Sequence, residues 1–75
     1  AAYQQHDLAL AQHWFQLAAS YHPDSAVAAN NYAQTLLDNG DPAKAFVWAQ
    51  KAVLADGGAP ARDTLQQVLH ALRAQ

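Results

Sequence analysis

The residues that could carry chemistry in this chain are four histidines, two serines, a few carboxylates and, through its backbone, one pair of adjacent glycines. A helical metal site needs two ligands three or four residues apart, so that both project from one face. His6 and His13 lie seven apart, and His22 and His70 fall in different segments. The nearest local pair is His22 with Asp24 across Pro23, and the histidines read as solvated or capping groups, with His22 placed near a helix end where it can meet free carbonyls. Ser20 and Ser25 have no glycine-framed elbow and no acid-base partner arranged for nucleophilic attack. Asp38 and Asp41 flank a turn glycine, which makes Asp41 a helix cap rather than half of a catalytic pair. Gly57-Gly58 lacks the lysine and the preceding strand of a phosphate loop and reads as an interhelix loop. No catalytic residue, no metal and no cofactor is expected, and the chain reads as not an enzyme.

The elements that would position these residues are helices. Alanine is abundant and runs of Val, Ile and Thr are absent, so local propensity favours helix nearly throughout. Pro23-Asp24-Ser25 ends one segment and offers a cap to the next. Asn39-Gly40 ends that one, and Asp41-Pro42 supplies a cap followed by proline in the first turn; Gly57-Gly58 and Pro60 divide the last two segments. These signals predict four helices, near 7–21, 26–38, 42–55 and 60–73.

With 75 residues the chain is one small domain, which buries only about 60% of the surface its unfolded form exposes. No cysteine is present to staple it or to bind a metal as thiolate. The lack of methionine leads to the expectation of a fragment, a processed chain or an excised piece of a larger protein. Net charge is −2, and the four cations, Lys44, Lys51, Arg62 and Arg73, are dispersed, which argues against nucleic acid and anionic lipid as partners. No apolar run approaches the length of a membrane span and the start has no signal-peptide character, so no membrane insertion is expected and the chain should be soluble. The compartment is left open.

An internal repeat organises the whole. Sliding the sequence by 34 residues sets residues 7–19 on 41–53 with six identities, among them Asp7 on Asp41 and Trp14 on Trp48. A period of this length marks stacked helical units, none of which can bury its apolar face alone. Ala29, Tyr32, Ala33 and Leu36 precede the turn "NGDPAKA", which ends on Ala45, and Ala49 and Ala52 follow on the same helix face. In these residues the chain resembles the tetratricopeptide repeat (TPR) family. The resemblance implies an all-α fold of antiparallel helix-turn-helix repeats, a short right-handed α-solenoid with a C-terminal capping helix. Residues 7–23 would be the second helix of a preceding repeat, with Ala11, Phe15, Ala18 and Pro23 at family positions; 26–59 a full repeat; and 60–75 the cap. Ala29 and Ala49 depart from the family's larger residues, and Gly57 stands where the closing proline would be.

The small residues Ala33, Ala45 and Ala52 would let helix axes approach to roughly 8 Å. Tyr32, Leu36, Phe46, Val53 and Leu54 are expected to fill the space between layers, with Trp48 partly covered. The last helix matches at an offset of 36, placing Leu65, Val68, Leu69 and Leu72 inward and Arg62, Asp63, Gln66, Gln67, His70 and Arg73 outward. That polar face suggests that the array ends there, whereas 7–21 would lack its pairing helix and leave Trp14, Phe15 or Leu17 partly exposed. Tyr3 and Tyr21 would pad that end or meet a neighbour.

By resemblance, Val27, Asn30, Gln34, Leu37 and Asp38 occupy the positions with which the family holds peptides. Asn30, Gln34 and Leu37 also form one stripe by spacing, and the two carboxamides can donate to and accept from an extended backbone. A solvated polar stripe is the competing reading. A carboxylate clamp is not supported, because Lys44 and Lys51 lie on the other helix. The expected function is a non-enzymatic protein–protein interaction module with a protein or peptide partner. The alternatives are a self-association element, a homodimer through the N-terminal helix, or a regulatory appendage of a larger enzyme.

Overall fold

The computed structural model describes residues 5–75, with side chains from residue 9 onward. Four helices follow in order: α1 Gln5–Tyr21, α2 Ala26–Asp38, α3 Pro42–Leu54 and α4 Gly58–Arg73, and no strand occurs among the described residues. The fold class is all-α, as the alanine-rich sequence predicts. α1 and α4 each begin two residues before the expected start.

The starts of α2 and α3 are fixed by side-chain caps. Ser25 Oγ accepts from the Ala28 N–H at 3.1 Å and Asp41 Oδ1 from the Lys44 N–H at 3.2 Å, each satisfying a donor that the first helical turn leaves free. Pro42, at the first position of α3, has no N–H to leave unpaired.

Both helices also end alike. After α2, the Gly40 N–H donates to Leu37 O and the Asp41 N–H to Leu36 O; after α3, the Asp56 N–H donates to Val53 O and the Gly57 N–H to Ala52 O. The residue in the left-handed region is Gly40 in the first case (φ 80°) and Asp56 in the second (φ 66°). Gly57 is required for a different reason. A Cβ there would stand 2.7 Å from Ala61 Cβ and 2.8 Å from Ala52 O, so α4 can leave α3 this closely only over a glycine. A proline at 57 would also lose the hydrogen bond to Ala52 O, which gives the departure noted at this position a physical cause.

α2 is the hub. It packs on α1, α3 and α4, while α3 also packs on α4 and α1 packs on α2 alone among the described residues. The core is built largely from alanine: Ala33, Ala45, Ala49 and Ala52 are fully buried, and Tyr32, Leu36 and Val68 supply most of the bulk. Small side chains at the crossings allow the short interaxial distances that make such a thin core viable. Phe46, Val53, Leu65 and Leu72 close the edges as partly buried neighbours, and Trp48 stands edge-on to Tyr32 with ring centroids 5.0 Å apart.

Leu54 corrects the expectation that it fills the core, being 86% exposed. It follows Ala52 by two residues, about 200° around the helix, and so points away from the face that Ala52 buries. On α4, Arg62, Asp63, Gln66, Gln67, His70 and Arg73 are exposed as expected. Ala61 and Thr64, not foreseen as core, are buried beside Val68.

Candidate functional site

The five stripe residues all project from α2, within an arc of about 100° set by the helical repeat. The structure treats them unequally. Val27 is 70% exposed and Asp38 is exposed, whereas Asn30, Gln34 and Leu37 are half-buried, Leu37 packing against the core.

Gln34 is engaged across the interface with α4. Its Nε2 donates to Thr64 Oγ1 at 2.8 Å, and the Thr64 hydroxyl donates in turn to Pro60 O at 3.0 Å. This relay satisfies a hydroxyl that is only 1% exposed, and it pins the middle of α2 to the first turns of α4. Gln34 thus commits one of its two amide N–H donors to the relay, and the second N–H and the Oε1 acceptor are left for a ligand.

Asn30, one turn earlier, has the opposite condition. Its Oδ1 is shielded from solvent and has no hydrogen-bond partner among the described residues. A shielded acceptor left unpaired costs about 1–3 kcal/mol, a cost that a ligand N–H would remove once the half-buried Asn30 carboxamide turns its Oδ1 outward. The stripe thus offers an exposed apolar residue, an acceptor in need of a donor, an anchored glutamine and a terminal carboxylate.

The residues considered for catalysis or metal binding are dispersed. Ser25 Oγ is taken up as the α2 cap, Ser20 is exposed on α1, and Asp41 caps α3. His22 uses its backbone to close the turn after α1, accepting from the Ser25 N–H at 2.9 Å, while its side chain and that of Asp24 are exposed. Among the described residues no group of three or more His, Cys, Asp or Glu side chains could hold a metal ion. The side chains of His6 and Asp7, and Tyr3 altogether, lie outside the described residues.

Lys44 and Lys51 are exposed on α3, away from the stripe, and the Lys51 ammonium stands 4.2 Å from the Trp48 ring centroid. Neither is placed to grip a ligand carboxylate on α2. Thr64 is the site residue that sequence reasoning missed. Its signal was present, since a hydroxyl three residues after Ala61 and four before Val68 interrupts an apolar stripe where a polar group needs a partner.

No known family model, curated protein or solved structure matches this chain. Among the described residues no helix is long and apolar enough to cross a membrane.

Proposed function

We propose that the chain is a non-enzymatic interaction module of TPR type, a short right-handed α-solenoid that binds an extended protein segment or peptide along α2. Three features support the repeat reading: the 34-residue self-similarity, the α2–α3 pair with its matched caps, and the seating of α4 on α2. The peptide reading rests on the shielded, unpaired Oδ1 of Asn30 in the middle of the stripe. A peptide backbone supplies N–H donors at regular intervals and would meet Asn30 Oδ1 first and Gln34 Oε1 next, one turn along, while Val27 and Leu37 offer apolar contact.

Charge sets a further expectation for the ligand. α2 carries Asp38 and no Lys or Arg, so a segment with a cation near the Asp38 end fits better than one ending in a free carboxylate there. Selecting peptides from a displayed random library against the 75-residue chain, followed by titration calorimetry, tests the reading. Asn30→Ala should weaken a selected peptide by about tenfold and leave the helical circular dichroism unchanged. Unchanged affinity, or a library that yields no binder, removes the groove assignment.

A further inference from the structure

The offset that sets α1 on α3 pairs Leu10 with Lys44, Trp14 with Trp48, Leu17 with Lys51 and Tyr21 with Ala55. Spaced by four, three and four residues, these positions form one stripe on a helix. On α3 the stripe is finished for water: Lys44 and Lys51 are exposed, Lys51 lies over Trp48, and Trp48 is half-buried against Tyr32. On α1 the same stripe is apolar. Leu10 is 47% exposed, Trp14 60% and Tyr21 75%, with Leu17 half-buried among them. α1 turns Phe15, Ala18 and Ala19 to the core, so it has two apolar faces, of which one is uncovered.

A helix set against α1 in the way α2 is set against α3 would cover Trp14 in part, as Tyr32 covers Trp48, but not the two leucines of this stripe. With α2 in place, Lys44 and Lys51 remain exposed, and the α3 residues fully buried there are Ala45, Ala49 and Ala52, whose counterparts are Ala11, Phe15 and Ala18. Leu10 and Leu17 call for a separate occupant, and the chemistry of the stripe selects one. Residues 9–21 contain no Lys, Arg, Asp or Glu, so a charged partner finds nothing to pair with, while a copy of the same face meets no repulsion. The four-three-four spacing of Leu10, Trp14, Leu17 and Tyr21 is that of the seam between two supercoiled helices, and it is self-complementary about a twofold axis.

We propose that α1 docks on α1 of a second copy of this chain through Leu10, Trp14, Leu17 and Tyr21, burying the tryptophan that the single chain exposes. The pairing rests on α1 and the internal repeat, and it stands apart from the peptide reading of α2.

Sedimentation equilibrium of the 75-residue chain from about 1 µM to about 1 mM, a range that reaches weak association, provides the test. The wild type should show a monomer–dimer equilibrium. Leu10→Lys with Leu17→Lys gives α1 the lysines that α3 already carries, and should weaken the dimer by about a hundredfold or more. Leu54→Lys, at the other highly exposed leucine, should leave the dimer as it is. In a Trp48→Phe background, Trp14 emission should shift to shorter wavelength as the dimer forms, a readout that needs no change to the seam. A wild type that stays monomeric at about 1 mM, a dimer that survives both lysines, one lost with Leu54→Lys, or Trp14 emission that does not move on association would each overturn the proposal.

Discussion

Trp14 and Trp48 occupy one position of the same repeat and meet opposite surroundings. Trp48 is held between the Tyr32 ring and the Lys51 ammonium, whereas Trp14 has, among the described residues, the His13 ring edge-on at 5.7 Å and is 60% exposed. The helical period alone determines where each ring points. Whether a ring is buried depends on what the neighbouring helix brings, and on whether the residues one turn away are lysine or leucine. α3 is thus packed between two helices and dressed for solvent, while α1 is packed on one side and carries a second apolar face.

The largest effect expected from that contrast is between leucines. Leu36→Ala, inside the core against α3, should destabilise the chain by about 2–5 kcal/mol in urea unfolding, while Leu10→Ala in dilute solution should stay within about 0.5 kcal/mol. Similar costs for the two would mean that α1's outer stripe is already covered. Next come the paired alanines. Ala45→Leu should overpack a fully buried crossing and cost about 1–3 kcal/mol, against about 0.5 kcal/mol or less for its half-buried counterpart Ala11→Leu. Equal losses in thermal melts would put α1 in as tight a crossing as α3.

A smaller effect separates the two carboxamides of α2. Gln34→Ala removes the bond to Thr64 and should cost about 1 kcal/mol of stability, reproduced by Thr64→Val and not doubled in the double variant. Asn30→Ala should show no such coupling to Thr64. The smallest effect concerns Lys51→Ala, which removes the cation over Trp48 and should cost about 0.5–1 kcal/mol while moving Trp48 emission. An unchanged emission spectrum would show that the ammonium does not rest on the ring in solution.

Much of this fold was legible in the sequence because its signals are local. Ser25 and Asp41 announce caps, Asn39-Gly40 a helix end, and Ala45, Ala49 and Ala52 a buried face at helical spacing. Gly57-Gly58 was legible as a break between helices but not in its separate demands: Asp56 and Gly58 take the left-handed conformation, and Gly57 permits the close approach to Ala61. Leu54 misled because hydrophobicity was given more weight than its angle from Ala52. The stripe on α2 was legible as a set of positions, but not in its state: the Gln34–Thr64 bond spans 30 residues and depends on how α4 sits, which no spacing within α2 encodes.

The measurement that bears most directly on the proposed function is amide chemical-shift mapping of the isotope-labelled chain titrated with a library-selected peptide. The account predicts that the largest changes run along α2 from Val27 to Asp38 and include the Asn30 side-chain amide, with smaller ones at Thr64 through its bond to Gln34. Changes concentrated on α1 between Leu10 and Tyr21, or on the outer side of α3 around Lys44 and Lys51, would contradict it and move the binding face off α2.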